Sequence, residues 1–306
     1  MKQQWTHPGV AAAALCTALI TLLPLPGALG HAAAATYHLV ESWAQFPPGV
    51  RWSRPTGVDI DSHGTIYVLQ QRTAMPILAF DGHGQFLRSW GEGMFTVPHL
   101  LRADAHGHIW ATDRRSHQIF KFSAEGKLLM TLGRKDVRGD NDARDAFNGP
   151  ADVVIAQDGS IFIADGESGN TRVVKYSPEG TFVKYWGGRG TEPGKFTEPH
   201  SLAMDSTGRI YVADRGSHRI QIFDQDGKYL DQWSNFDSPW SLFITGDDLL
   251  YVVDGSSSLR ITNTRDGGIV DRIDGLTNPH GVAVDKQGAI YIAEIDGNIV
   301  KKFVKK

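Results

Sequence analysis

The chain lacks several features that would narrow its class. It has one cysteine, Cys16, in 306 residues, which excludes an internal disulfide framework. Its formal charge of −3, from 31 basic and 34 acidic residues, excludes a strongly basic nucleic-acid binder. Little sustained helical periodicity is present beyond residue 36, and this favours strands over helices. With 41% hydrophobic residues, the chain is nevertheless too apolar to be disordered.

The first 36 residues differ from the rest. A basic start precedes an apolar run over residues 10–23, and small residues follow two prolines. This order is typical of a secretory signal peptide, so we expect residues 1–36 to be cleaved and residues 37–306 to be secreted or extracytoplasmic. One alternative is an uncleaved membrane anchor, although the run is shorter than the ~20 residues a spanning helix needs. The other is lipoprotein processing at Cys16, where Leu15 stands in place of a small residue.

Beyond residue 36 the sequence repeats itself six times. Each repeat opens with a proline, and an apolar residue follows three positions later. The prolines are Pro55, Pro98, Pro150, Pro199, Pro239 and Pro279. Short apolar strands and glycine turns follow each of them. A repeat of 40–50 residues made of short strands is typical of a propeller, so we predict one all-β domain over residues 37–306, a six-bladed β-propeller.

The last repeat has room for three strands only. Its strands are expected near residues 281–285, 289–294 and 298–304. We expect an N-terminal strand within residues 37–43 to supply the fourth and to close the ring. Closure would remove the open sheet edges at which other chains could pair.

Three histidines share one position in the repeats. The residue after the proline is His99, His200 and His280 in blades two, four and six. Alternate blades of a six-bladed ring are related by a third of a turn, and innermost strands line the central channel. The three imidazoles should therefore converge on the axis, as in a catalytic zinc site with one open position. Zn²⁺ is the favoured ion, with Fe, Cu or Ni as alternatives, and a polar histidine bonded to a neighbouring group is the alternative interpretation of each residue.

The motifs around these histidines resemble a known family. The blades look like NHL repeats, and the stretches around Pro98, Pro199 and Pro279 resemble the lyase domain of the peptide-amidating enzymes. The resemblance covers the chain from about residue 38 to its end. It implies a six-bladed propeller with a zinc ion held by three histidines. It also implies a lyase that splits a peptidyl α-hydroxyglycine into an amide and glyoxylate.

Further site residues follow from the resemblance. His99, His200 and His280 match the zinc ligands. Arg72 and Arg215 match two family arginines near the site, with a one-residue offset for Arg72, and either could instead form an ordinary salt bridge. The family has a catalytic tyrosine after an Asp-Gly in blade three. This chain has Glu167 after that Asp-Gly, and Glu167 is our candidate for the catalytic base.

The resemblance also implies a second cation site. The family binds a structural Ca²⁺ with two backbone carbonyls, which would fall on Val58 and Leu101, and with an acid. The position of that acid holds Gly281. Asp152 occupies the same register in blade three, across the ring. Ca²⁺ prefers several oxygen ligands, including charged ones, and glycine at this position removes one charged ligand from the expected site.

A long charged loop, residues 134–149, separates blades two and three. It could be a functional lid or a solvated insertion. The leading functional prediction is a secreted zinc lyase acting on an α-hydroxyglycine-like carbinolamide. The alternatives are a metal-dependent hydrolase or lyase for another small metabolite, and a non-catalytic extracellular propeller that binds a peptide or glycan. We expect a monomer with a small-molecule or peptide substrate and no nucleic-acid or membrane partner.

Overall fold

The structure is a computed structural model that describes residues 1, 4, 36–255 and 257–306. The chain divides into two units, Met1–Ala34 and Ala35–Lys306. The signal peptide expected over residues 1–36 lies almost wholly outside the described residues and stays a prediction. Within the part that the structure describes, no helix is long and apolar enough to cross a membrane.

The second unit is built from antiparallel sheets of four strands, and six such sheets occur among the described residues. The first strand, β1, is Tyr37–Val40. Blade one contains β2 Pro55–Ile60, β3 Ile66–Gln70, β4 Ile77–Phe80 and β5 Phe86–Trp90. Blade two contains β6 Pro98–Ala103, β7 Ile109–Asp113, β8 Gln118–Phe122 and β9 Leu128–Leu132. Blade three contains β10 Pro150–Ile155, β11 Ile161–Asp165, β12 Arg172–Tyr176 and β13 Phe182–Gly187.

The remaining blades follow the same plan. Blade four contains β14 Pro199–Met204, β15 Ile210–Asp214, β16 Arg219–Phe223 and β17 Tyr229–Trp233, with a single 3₁₀ turn at Arg215–Ser217. Blade five contains β18 Pro239–Ile244, β19 Leu249–Asp254, β20 Ser258–Asn263 and β21 Ile269–Asp274. Blade six contains β22 Pro279–Val284, β23 Ile290–Glu294 and β24 Ile299–Lys305. Every innermost strand begins at one of the six repeat prolines, as proline is best tolerated at the first residue of a strand.

The ring closes where the repeats predicted it would. β1 pairs antiparallel with β24, from Tyr37 opposite Lys305 to Val40 opposite Lys302. The innermost strand β2 contacts both β6 of the next blade and β22 of the last one. The six-bladed all-β propeller, closed by an N-terminal strand, is therefore confirmed.

The apolar core is divided among the blade interfaces. Each of six buried clusters in the described part joins two adjacent blades. One of them packs Val58, Val68 and Phe80 of blade one against Tyr291 and Val300 of blade six. Because no blade can bury both faces of its sheet alone, stability depends on neighbouring blades.

Tryptophans on outer strands join several blades. Each packs on a turn glycine of the following blade, where an added Cβ would lie 2.6 Å from the indole. The pairs are Trp90 with Gly126, Trp186 with Gly227 and Trp233 with Gly267. All three glycines have positive φ, so both the turn and the tight contact require glycine.

Candidate metal centre and its charged rim

A bulge at the start of each innermost strand sets the direction of the side chain after the proline. In blade four, pairing with the second strand runs from Pro199 to Ser201 and skips His200. In blade two it runs from Pro98 to Leu101. A bulge frees a residue from the alternation of the strand and re-aims its side chain, so this position can face the channel.

The loop before each proline is held by an oxygen acceptor on the second strand. This acceptor residue pairs with the proline. Its side chain accepts a hydrogen bond from the backbone N–H of a residue one or two positions before the proline. The six acceptors are Gln70, Asp113, Asp165, Asp214, Asp254 and Glu294. These bonds fix where each innermost strand begins, and with it the residue that follows the proline.

Three histidines converge from alternate blades. Their ring centroids are 4.8 Å apart for His99 and His200, 4.8 Å for His99 and His280, and 5.3 Å for His200 and His280. All three are buried, and one nitrogen of each lies within 4.8 Å of the others. The group can therefore hold a metal ion.

Each imidazole is oriented by a backbone carbonyl of the next blade. The acceptors occupy the same position after the proline in blades three, five and one. The pairs, with their Nδ1–O distances, are His99 with Ala151 (2.8 Å), His200 with Trp240 (2.6 Å) and His280 with Thr56 (2.8 Å). A carbonyl only accepts, so each Nδ1 carries the proton and each Nε2 keeps its lone pair.

Burial favours the neutral form of His99 and His280. Desolvation lowers the pKa of His99 to about 4, against the raising effect of nearby Glu167. Desolvation, together with His99 and His200, lowers the pKa of His280 well below its usual range. Neutral imidazole is the form that binds metal ions.

Glu167, in the turn after β11, brings a carboxylate to the same point. Its Oε2 lies 3.3 Å from Nε2 of His200 and 3.8 Å from Nε2 of His99. Its backbone N–H donates to the carbonyl of Gly149 at 2.9 Å. Burial alone would raise the pKa of the Glu167 carboxyl, but its interactions with His99 and His200 and the positive charge of Arg215 hold that pKa well below its usual range.

Arg215 lies on the other side of Glu167. Its Nη2 is 3.4 Å from Oε2 of Glu167, and its Nε donates to Oε2 of Glu198 at 3.1 Å. The guanidinium carbon sits 4.1 Å from the ring centre of Trp240. Its buried Nη1 has no hydrogen-bond partner among the described residues. One donor of this rim is thus available to a ligand.

Sequence reasoning missed a second arginine at this rim. Arg114 Nη1 donates to Oε1 of Glu167 at 2.8 Å. Arg114 follows Asp113 as Arg215 follows Asp214, so the two arginines share one position in blades two and four. That repeat was the signal in the sequence.

Arg72 is placed differently. Its Nη1 lies 3.5 Å from the carbonyl of Gly49, and no ion pair or hydrogen bond of the described residues joins it to the three histidines or to Glu167. The catalytic role expected for Arg72 therefore stays a prediction. Glu167, by contrast, lies beside His99 and His200, and Arg215 contacts Glu167.

The donors near Val58 and Leu101 do not fit a calcium ion. Gly281 contributes no carboxylate, and a Cβ there would lie 2.8 Å from the carbonyl oxygen of Thr56. The carboxylate of Asp152 is already engaged by other groups of this chain. The buried carboxylate of Asp59 accepts from the N–H groups of Ile60 and Ala103. Two carbonyls beside carboxylates that are already hydrogen-bonded are a weak Ca²⁺ donor set.

The loop over residues 134–149 is tied down by blade three. Buried Arg172 donates to the carbonyls of Asn141, Ala143 and Ala146 at 2.6–2.8 Å. Phe147 of the loop is fully buried. The backbone of this loop thus serves as the acceptor for a core guanidinium, while residues 134–138 are exposed.

The buried acceptor atoms of this centre favour a bound cation. The Nε2 lone pairs of the histidines converge, and Oε2 of Glu167 lies near two of them. His200 Nε2 is buried and has no hydrogen-bond partner in the described part of the chain. Buried acceptors without a shared proton are costly unless a positive ion lies between them. The residues present therefore fit a metal ion.

Comparison with known proteins agrees with the repeat structure. The NHL repeat family model matches residues 147–176 and 196–223. NHL repeat-containing protein 3 of Homo sapiens is 35% identical over 271 residues, which cover 81% of this chain and 78% of that protein. The chain belongs to the NHL repeat family.

Other relatives of this NHL propeller carry names of enzymes. Peptidyl-alpha-hydroxyglycine alpha-amidating lyase 1 of Drosophila melanogaster is 30% identical over 258 residues, 72% of this chain and 47% of that protein. A solved structure titled "Streptogramin B lyase structure" matches 88% of this chain and 98% of that chain with a TM-score of 0.65 and 16% identity. At that identity, the structural match shows the fold alone.

Proposed function

We propose that this NHL propeller is a metal-dependent lyase that cleaves peptidyl-α-hydroxyglycine-like carbinolamides to an amide and glyoxylate. The observation that carries the proposal is the convergence of three Nε2 lone pairs and the Glu167 carboxylate on one buried point. The similarity to amidating lyases supports the reaction class. His99, His200 and His280 would hold the ion, and Zn²⁺ suits three imidazoles.

The rim supports recognition of a carboxylate. The buried Nη1 of Arg215 is free to donate, while Glu198 and Trp240 hold the rest of the guanidinium. An arginine oriented in this way binds a carboxylate with little loss of side-chain freedom. We assign it the carboxylate of the α-hydroxyglycine unit.

Glu167 is the proton carrier in this proposal. Zn²⁺ bound by the three histidines would supply Lewis acidity that lowers the pKa of the substrate hydroxyl. The ionised Glu167 carboxylate accepts the hydroxyl proton and returns it to the amide nitrogen. The C–N bond breaks, its electron pair stays on nitrogen, and the hydroxyl oxygen becomes the aldehyde oxygen of glyoxylate. Proton and electrons balance without an added reactant.

The test is direct. Purified protein loaded with zinc should release glyoxylate from α-hydroxyhippuric acid, and a chelator should stop the release. Full zinc occupancy with no glyoxylate would overturn the amidating reaction. It would favour our second candidate, a metal-dependent lyase or hydrolase acting on another small metabolite, which Glu167 supports because the amidating family has a tyrosine there.

We propose export and a monomeric state for the same protein. The composition of residues 1–36 supports cleavage of a signal peptide. N-terminal sequencing of protein recovered outside the cytoplasm should find a start near residue 37. Light scattering should give the mass of one chain, and a dimer would contradict the monomer.

A further inference from the structure

A second layer of polar groups crosses the channel, away from the histidines. The residue three positions after each proline is Val58, Leu101, Val153, Leu202, Leu242 and Val282. Arg102 of blade two reaches across to two carbonyls of this layer. Its Nη2 donates to Leu242 O at 2.9 Å and to Leu202 O at 3.2 Å.

The positive charge of Arg102 is balanced within the same layer. Its Nε donates to Oδ1 of Asp152 at 2.9 Å, and its Nη2 donates to Oδ2 at 2.5 Å. Asp152 Oδ2 also accepts bonds from the hydroxyl of Ser201 at 2.7 Å and the N–H of Leu202 at 3.0 Å. Asp152 is fully buried and Arg102 is 9% exposed. The bidentate pair and the carbonyls thus form one network in which the charges of Arg102 and Asp152 match, and buried Asp59 lies close enough to interact with the same guanidinium.

We propose that the Arg102 guanidinium is a built-in channel cation, which takes the place of a calcium ion among the carbonyls of this layer and positions the histidine-bearing strands. The carbonyls of Leu202 and Leu242, which lie at the register of Val58 and Leu101, accept N–H donors from this side chain. Asp152 supplies the negative charge that a bound calcium ion would need, and its carboxylate is already paired with Arg102.

The network acts on the strands that build the metal centre. Arg102 lies three residues after His99 on β6, and Ser201 directly follows His200 on β14. Asp152 directly follows Ala151, the carbonyl acceptor of His99. Linking β6, β10 and β14 at this depth holds two of the three histidines at a fixed separation. Arg102 is thus a positioning residue.

The test uses the full chain freed of metal and compares Arg102→Met with Arg172→Met. Arg172 forms an equally buried pair with Asp165 and also donates to three carbonyls, but outside the channel, so it is the matched control. Thermal unfolding is followed with and without millimolar CaCl₂. The parent Tm should not respond to Ca²⁺.

Both variants should lose on the order of 10 °C in Tm, because each leaves a buried carboxylate unpaired. Only Arg102→Met should recover part of the loss when Ca²⁺ is added, since its free Asp152 then faces a ring of carbonyls. The zinc dissociation constant, measured by competition with a chromophoric chelator, should rise about tenfold in Arg102→Met alone.

A saturable rise of the parent Tm with Ca²⁺ would overturn the proposal, even if Arg102→Met fails to fold. So would a parent-like Tm of Arg102→Met, or equal responses of the two variants to Ca²⁺. If the parent binds no zinc, the proposed function fails. The Tm measurements with and without CaCl₂ still decide the role of Arg102.

Discussion

The two ends of the innermost strands use similar residues to opposite effect. At the histidine end, His200 Nε2 and Arg215 Nη1 are buried without hydrogen-bond partners in the described part of the chain. At the other end, Arg102 and Asp152 satisfy each other and the carbonyls around them. Both ends combine arginine with a buried carboxylate, but a nitrogen of Arg215 is buried without a hydrogen-bond partner in the described part, whereas Arg102 and Asp152 bond to each other.

This difference in hydrogen bonding distinguishes a ligand-binding site, at the histidine end, from a structural network around Arg102. Buried polar groups in proteins are nearly always paired, so a cluster of unpaired ones indicates a binding site. A satisfied network can rigidify the ring without binding anything. Counting charged residues would not distinguish the two ends, whereas counting unpaired donors and acceptors does.

Opening the ring should disrupt the histidine cluster and the Arg102 network together, and it should give the largest loss of stability. Deleting residues 37–45 removes β1 and Trp43, whose indole donates to Val300 O at 2.6 Å in the interface of blades six and one. Loss of one buried tryptophan alone costs about 3–5 kcal/mol, and β24 becomes a bare edge. Calorimetry should show a much lower Tm or no cooperative transition. A chain that starts at Thr36 is the control, and an unchanged Tm of the deletion would contradict ring closure.

Substitution at the histidine end should remove the metal and spare the fold. His200→Ala takes away one ligand while its carbonyl partner at Trp240 stays in place. We expect metal content to fall from about one ion per chain to near zero, and lyase activity to fall on the order of 1,000-fold. Mass spectrometry of the metal and circular dichroism measure the two properties. His218→Ala, an exposed histidine, is the control, and full metal retention in His200→Ala would refute the centre.

Glu167→Gln should separate catalysis from metal binding. The amide keeps the shape of the side chain but cannot accept the substrate proton, so the rate should fall on the order of 100-fold. Metal content should stay near that of the parent. Glu198→Gln, which also contacts Arg215, should lose less than Glu167→Gln. Parent-like kcat in Glu167→Gln would exclude the residue as proton carrier.

An effect on stability alone should come from Asp59, which lies beside Arg102. Burial raises the pKa of Asp59 to about 6 from 3.8, although Arg102 opposes the shift. Between about pH 4 and 6 the folded chain holds a proton that the unfolded chain has lost, so stability falls as pH rises through this window. The total change is on the order of 3 kcal/mol.

Asp59→Asn should flatten this dependence, which Tm measured from pH 4 to 8 will show. Exposed Asp226→Asn should retain the slope of the parent. A parent-like slope in Asp59→Asn would contradict the assignment.

Local patterns in the sequence were enough to predict the scaffold. A proline marks the first residue of each innermost strand, and a shared offset from it aligned His99, His200 and His280. The same arithmetic applied to Asp113 and Asp214 would have found Arg114. Repeats make equivalent positions comparable, so any side chain fixed by register can be found from spacing alone.

Contacts that cross the channel could not be predicted in this way. Arg102 and Asp152 lie at different offsets from their prolines, and only the diameter of the ring decides that they meet. Arg172 reaches into the loop over residues 134–149, and no periodicity places that loop on blade three. Long side chains span distances that strand register does not encode. For this reason the sequence alone could not show that the Arg102 guanidinium competes with the calcium ion expected at Val58 and Leu101.

The pairing of β1 with β24 also constrains how the chain folds. Tyr37 and Lys305 are neighbours in the sheet, although almost the whole propeller separates them in sequence. Contacts of such long range carry a large loop-closure entropy and slow folding. A ribosome adds β24 after every other strand, so blade six stays incomplete and its edge unpaired until synthesis has passed it. Ring closure should therefore wait until β24 has left the ribosome, and a chaperone that covers the unpaired edge of β1 until then would raise the yield of closed rings.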